Sequence, residues 1–229
     1  MAQPLKFITI PATQKHTATV IFVHGLGDTG RGLIPVADIL KTDPGLSHVK
    51  WVLPDSPRRP VTANADMVIP SWSDVYNFGF DGTEDEAGML QTSRQLNELI
   101  TSEVNSGTAA SRIVLGGFSQ GGAMSLLTGL TCARKLGGIA VLSGWLPLYK
   151  KIKNMMSPHA TSIPLFWGHG TADTIVKYDH CKKCVEYLTK TCGIHGIKCE
   201  AYRDMTHVAG PQELEDLKSW LKAVVPKDK

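Results

Sequence analysis

The residues best placed to do chemistry lie in Gly117-Phe118-Ser119-Gln120-Gly121, after the apolar run Arg112-Ile113-Val114-Leu115-Gly116 and before the helix-like Ala123-Met124-Ser125-Leu126-Leu127. A serine between two glycines, at a strand-to-helix turn, has the pattern of a nucleophile elbow. The turn is so tight that the residues two before and two after the serine crowd its backbone, so Gly117 and Gly121 are small for a steric reason. The hydroxyl is lifted clear of the sheet. It also stands at a helix N-terminus, where free N–H groups and the helix dipole favour the negative charge that develops when a carbonyl is attacked. The alternative, a glycine-rich turn holding an ordinary serine, fits less well with the flanking apolar runs and the position near mid-chain.

A nucleophilic serine needs a base and a group that orients the base. On this strand-turn-helix framework they follow in the order serine, acid, histidine. After the strand-like Ile163-Pro164-Leu165-Phe166-Trp167 comes Gly168-His169-Gly170-Thr171-Ala172-Asp173, read as a loop, and Asp173 is the best acid, with Asp204 as a nearby alternative. His207, in the loop after the strand-like Ile197 to Tyr202, is the best base. His169 and His195 break the chain order, since one precedes the acid and the other precedes the last strand.

An oxyanion requires two N–H donors, one from the residue after the nucleophile and one from an early loop after a strand. Gln120 is the first. Leu26 is the candidate for the second, in His24-Gly25-Leu26-Gly27-Asp28-Thr29-Gly30 after the strand-like Thr17 to Val23. The same loop matches the dinucleotide fingerprint G-x-G-x-x-G, which makes an oxidoreductase the rival reading. That fingerprint wants an acid about 20 residues on, at the end of the next strand. Here the strand ends at Leu53-Pro54-Asp55, about 30 residues on, and a cofactor reading leaves Ser119, Asp173 and His207 without a role.

These residues must be held by regular elements. Strand-like runs at 17–23, 49–53, 138–142, 163–167 and 197–202 alternate with helix-like runs at 33–40, 84–104, 178–190 and 211–223. Repeated βα units predict an α/β fold, a mainly parallel sheet with helices on both faces, in one domain over residues 1–229. Thr83-Glu84-Asp85-Glu86 reads as a capping box with Thr83 as N-cap, and Gly107 lies just past that helix. The stretch from Pro54 to Gly82 is too long for an ordinary connection. Its Met67, Val68, Ile69 and Trp72 either cover core or line an apolar groove.

The chain's 229 residues are 42% hydrophobic, enough for one sizeable core, and a net charge of +3 from 24 basic and 21 acidic side chains gives no field suited to nucleic acid. No signal peptide, membrane-spanning run or prenylation box is evident, and Ala2 stands where N-myristoylation would need a glycine. The five cysteines, an odd count with four crowded late in the chain, fit free cytosolic thiols. Cys181-x-x-Cys184 beside His180 suggests zinc only weakly, because the spacing falls within a helix and no matching pair follows. No metal or organic cofactor is expected.

Taken together, Val23 to Gly30, Arg59-Pro60-Val61-Thr62, Pro70-Ser71-Trp72, Gly116 to Gly122 and Ser143-Gly144-Trp145-Leu146-Pro147-Leu148 make the chain resemble, over nearly its whole length, the acyl-protein thioesterase and lysophospholipase family of small serine esterases. The resemblance implies an α/β-hydrolase fold without a cap domain. It implies hydrolysis of long-chain acyl thioesters on S-acylated proteins, with lysophospholipids and simple esters as alternative substrates. Ser119, Asp173 and His207 match the family's triad, and Leu26 and Gln120 its oxyanion positions. Many relatives have a proline straight after the aspartate and small polar residues after the histidine; here stand Thr174 and Val208-Ala209-Gly210. Ile69, Trp72, Trp145, Leu146, Ile175 and Val176 are candidates to line an acyl groove, though each equally fits ordinary core. Lys150, Lys151 and Lys153 suit either transient contact with an acidic membrane or a solvated face. The expected compartment is the cytoplasm, with the nucleus as a second, and no oligomeric state is specified.

Overall fold

A computed structural model describes residues 4–77 and 82–227. Residues 78–81 of the irregular stretch, Ala2 and the C-terminal Asp228-Lys229 read above for lipidation signals lie outside them. The described residues form nine strands: β1 (Phe7–Ile10), β2 (Ala18–Val23), β3 (Val49–Pro54), β4 (Arg58–Val61), β5 (Met67–Pro70), β6 (Ile113–Phe118), β7 (Gly138–Leu142), β8 (Leu165–Gly170) and β9 (Ile197–Tyr202). The helices are α1 (Ile34–Lys41), α2 (Glu86–Asn105), α3 (Gln120–Thr131), the short α4 (Ile152–Met155), α5 (Tyr178–Lys190) and α6 (Pro211–Val224).

Seven strands form one sheet in the order β1-β3-β2-β6-β7-β8-β9. All neighbours are parallel except β1, which pairs antiparallel with β3 and places Phe7 opposite Pro54. The pleat divides each strand between two cores. On one face Ile21, Val23, Ile113, Leu115, Ile139, Val141, Leu165 and Trp167 pack with Leu96 and Ile100 of α2, Leu127 of α3 and Leu188 of α5. On the other, Val20, Phe22, Val114, Ala140, Leu142 and Phe166 pack with Ala37 and Leu40 of α1 and Leu214, Leu217 and Trp220 of α6. Strands buried on both faces read as continuous apolar runs rather than alternating ones, as the central strands here do.

Three local expectations are corrected. β1 and the β4–β5 hairpin had no counterpart in the pattern reading. β1 is four residues long with only Ile10 buried, and the hairpin exposes Met67 and Val68, so neither shows a core periodicity. The N-cap of α2 is Asp85, whose carboxylate accepts from the Gly88 N–H (2.9 Å) and the Asp74 N–H (2.8 Å). Glu84 instead reaches across to the Leu148 N–H at 2.9 Å, a tertiary demand that the capping-box pattern does not reveal. Finally, Gly168-His169-Gly170 is not loop but the end of β8, hydrogen-bonded in register with Glu200-Ala201-Tyr202. Gly107, at φ 101°, terminates α2 as expected.

Candidate active site

Parallel βα units bring the loops that follow β2, β6, β8 and β9 to one edge of the sheet, at the strands' C-terminal ends. The loop after β6 is Ser119 itself. Its φ of 53° and ψ of −121° lie where a non-glycine residue is strained. The surroundings enforce that conformation: the Ser119 N–H donates to the Leu142 carbonyl at 2.8 Å, and its own carbonyl accepts from Ala123 at 3.0 Å. A Cβ on Gly117 would lie 2.5 Å from the Gly121 carbonyl carbon, and one on Gly121 would lie 2.0 Å from the Val23 oxygen. The steric reason inferred for both glycines is thus present in the packing.

The loops after β8 and β9 supply the partners. His207 Nε2 lies 2.9 Å from Ser119 Oγ, and His207 Nδ1 lies 2.7 Å from Asp173 Oδ2. Asp173 Oδ1 accepts from the Ile175 and Val176 N–H groups at 2.8 and 2.9 Å, which fixes the carboxylate's orientation. With Nδ1–H donated to Asp173, Nε2 is free to take the serine proton. Phe118 packs tilted against the imidazole, with ring centroids 4.8 Å apart. Neither His169 nor Asp204 takes their place, though His169 Nε2 lies 3.5 Å from Asp173 Oδ2. His169 is fully buried and donates from Nε2 to the Val176 carbonyl at 2.7 Å, and burial lowers its pKa, so it braces the acid loop as a neutral ring. Asp204 is exposed, with its carboxylate beside Arg203 at 3.5 Å.

The early loop is pinned on both sides of Leu26. The Gly25 carbonyl accepts from His24 Nδ1 at 2.7 Å, and the Gly27 N–H donates to the Pro70 carbonyl at 2.9 Å. His24 Nε2 accepts from the Ser56 N–H at 3.1 Å, so the ring works only when neutral, and burial lowers its pKa to keep it so. The Gln120 side chain locks the second wall: Oε1 accepts from the Trp72 N–H at 3.1 Å and Nε2 donates to the Ser73 carbonyl at 3.0 Å. The Trp72 indole N–H donates in turn to the His24 carbonyl at 2.8 Å. These supports brace the loop that carries Leu26 and the turn that carries Ser119 and Gln120. They also consume the parts a dinucleotide would need, since Asp55 is engaged with the Gly30 N–H at 2.8 Å.

Sequence reasoning did not single out Phe118, His24 or the Gln120 side chain as supports. Only their adjacency to the elbow and the glycine loop could have flagged them.

Gly25, Leu26, Asp28, Phe118, Ser119, Ile175 and His207 line a cleft of about 210 Å³. Among the six acyl-groove candidates only Ile175, which is 48% exposed, lines it. Trp145 and Leu146 wall a separate, smaller cavity with Tyr76, Met89 and Glu84. Ile69 is half-buried on the hairpin. Trp72 and Val176 are corrected from lining to scaffold. Both are buried, Trp72 with its indole N–H on the His24 carbonyl and Val176 with hydrogen bonds to Asp173 and His169. The thiols near the zinc-like spacing point apart: Cys184 Sγ accepts from the Leu146 N–H at 3.3 Å, while Cys181 faces Cys199. Among the described residues, no helix is long and apolar enough to cross a membrane.

Comparison with known proteins agrees with this geometry. A family model described as Phospholipase/Carboxylesterase matches residues 5–225. A protein of Cryptococcus neoformans var. neoformans serotype D named acyl-protein thioesterase 1 is 48% identical over 96% of this chain and 98% of its own length. A Mycosarcoma maydis protein of the same name is 43% identical over 93% of each chain. Among solved structures, Arabidopsis thaliana SOBER1 superposes with a TM-score of 0.85 at 32% identity, covering 91% of this chain and 99% of its own. Zea mays acyl-protein thioesterase 2 gives 0.85 at 29% identity, covering 96% and 99%. On the sheet order, the elbow and these matches, the chain belongs to the phospholipase/carboxylesterase family of α/β-hydrolases.

Proposed function

We propose that the chain is an acyl-protein thioesterase, a serine hydrolase that removes long acyl chains from cysteine thiols of S-acylated proteins through an acyl-enzyme. The observation that carries this reading is the Asp173–His207–Ser119 relay at 2.7 and 2.9 Å, in a chain 48% identical to a protein named for that activity. His207 takes the Ser119 proton as Oγ attacks the thioester carbonyl, and Asp173 steadies the imidazolium. The Leu26 and Gln120 N–H groups hold the oxyanion, and the thiolate leaves. Water, activated by the same imidazole, then releases the acid. A thiolate departs readily without full protonation, so these residues suffice for both half-reactions.

The cleft at Ser119 is open and too small to enclose a long acyl chain, since ligand pockets run to about 300–1,000 Å³. The chain therefore leaves Ser119 past Ile175 and Leu26 and continues along the surface. An open site also suits a bulky protein substrate. The family's description favours lysophospholipids or simple esters as a second reading on the same triad. The five unpaired thiols suit work in the cytoplasm or nucleus, with transient contact at membrane surfaces where acylated proteins reside.

The test is turnover, by purified protein and by Ser119→Ala, of soluble peptides carrying acyl thioesters of increasing length, of a lysophospholipid and of a short ester. The parent should label with a fluorophosphonate and favour long thioesters, with kcat/KM climbing by up to about 0.8 kcal/mol per buried methylene. Ser119→Ala should neither label nor turn over. Equal rates on short and long thioesters would defeat the lipid reading, and preference for the lysophospholipid would install the second one.

A further inference from the structure

Outside the site, one pair of nucleophilic side chains is placed for chemistry. Cys181, on α5, and Cys199, on β9, lie with their sulfurs 4.0 Å apart in hydrogen-bonding contact. The pleat explains the pairing. Lys198 sends its ammonium over the Phe166 ring on the α6 face of the sheet, so its neighbour Cys199 faces α5. β9 is the last strand of the sheet, and Cys199 is exposed there while Cys181 is fully buried in the core. We infer that Cys199 and Cys181 form a redox modification site, in which peroxide oxidises the exposed thiol and the buried one closes a reversible disulfide between β9 and α5.

The two sulfurs divide the work. Hydrogen bonding from Cys181 holds the Cys199 pKa below its ordinary value, whereas the same contact and burial push Cys181 up. Cys199 is thus the nucleophile, because the thiolate is the reactive form. Its sulfur attacks one oxygen of hydrogen peroxide, forming an S–O bond and breaking O–O, and hydroxide leaves to be protonated. Cys181 Sγ then attacks the sulfenic sulfur. The S–S bond forms, the S–O bond breaks, and the Cys181 proton leaves with the departing hydroxide as water. Two thiols lose two electrons and one peroxide becomes two waters. Cys184 cannot compete easily as the resolving thiol, since its sulfur is turned to the Leu146 N–H. The loop that carries Asp173 leads into α5, and β9 leads into the loop that carries His207, so the new bond would tie together the elements flanking acid and base.

The experiment treats the intact chain with hydrogen peroxide, blocks free thiols, and maps the non-reduced digest by mass spectrometry. A Cys181–Cys199 cross-linked peptide, an intact mass lower by about 2 Da, and full recovery of both thiols on adding a dithiol are expected. In Cys199→Ser the cross-link and the mass change should vanish. Because Cys181→Ala alters a buried position, its folding is checked by fluorophosphonate labelling of Ser119, and Cys199 in that variant should advance to sulfinic and sulfonic acids. A Cys181–Cys184 link, or irreversible Cys199 oxidation in the parent without any cross-link, would overturn the inference.

Discussion

Glu213, on the first turn of α6, offers a quantitative test of how this fold tolerates a buried acid. It has no exposed surface, and neither carboxyl oxygen has a hydrogen-bond partner of normal geometry. Burial, partly offset by the Gly210 N–H and reinforced by the negative charges of Asp173 and Asp216, pushes its pKa from 4.5 up to about 8. Between those values the folded chain keeps the proton and the unfolded chain has released it. The unfolded state then binds fewer protons, so stability falls as pH rises through the window. The slope is about 1.4 kcal/mol per pH unit, on the order of 5 kcal/mol across the whole range.

Glu213→Gln keeps the shape and cannot ionise. Any packing or hydrogen-bonding offset it introduces is independent of pH, so the informative quantity is the change in the parent-to-variant difference, not its absolute value. Urea unfolding, followed by tryptophan fluorescence at several pH values from 4.5 to 8, gives the free energy of each protein under matched conditions. The difference should shift steadily in the variant's favour as pH rises, by about 1.4 kcal/mol per unit if Glu213 alone is responsible. A difference that stays constant over that range would show that Glu213 is solvated or already ionised in the folded protein.

Three further outcomes are expected. His207→Ala should lower kcat by about 10⁴ or more, whereas His169→Ala, which loses only a brace of the acid loop, should cost far less turnover, and the reverse ranking in a steady-state assay would reassign the base. Trp72→Ala removes a fully buried indole and its hydrogen bond to His24, so melting should reveal a loss of about 3–5 kcal/mol, and turnover should fall equally for short and long acyl groups; a selective loss on long chains would return Trp72 to the acyl groove. Gly121→Ala drives a Cβ into the backbone of Val23, so it should cost about 1–3 kcal/mol or more and abolish turnover, and a fully active, equally stable variant would refute the elbow geometry.

The strands buried on both faces were legible because their apolar runs leave no other use for them. Ile197–Tyr202 and Tyr178–Lys190 were delimited by sequence to the residue. The triad candidates were legible because chain order constrains them tightly, and the structure brings the three side chains together. What escaped was whatever depends on a partner distant in sequence. β1 is a strand because β3 offers it an edge, and Glu84, beside the Asp85 cap of α2, is drawn to Leu148, 64 residues away. The aromatic and aliphatic candidates for the acyl groove divided for a related reason. An apolar residue looks the same in sequence whether it faces ligand or core, and only packing separates Ile175, in the cleft, from Trp72, in the core.

The supports around Ser119 explain how a strained nucleophile persists in a marginally stable chain. Holding a serine at φ 53° costs about 1–3 kcal/mol, which local backbone preference would recover by relaxing the turn. Relaxation is blocked on each side by contacts that cannot adjust independently. The Gly117 and Gly121 backbones are wedged against Val23, which leads into the loop carrying Leu26. That loop hangs from His24 and Pro70, and the segment after Pro70 is clamped by the side chain of Gln120. Ser119, Gln120, Trp72, His24 and Leu26 are therefore linked in one closed circuit that returns through Val23. Moving any of these segments requires breaking buried hydrogen bonds, at about 1–3 kcal/mol for each group left unpaired. The circuit opposes relaxation of the strained turn, and under the proposed mechanism it holds the Leu26 and Gln120 backbones in place before any carbonyl arrives, which is the condition under which fixed dipoles stabilise a developing charge without reorganising.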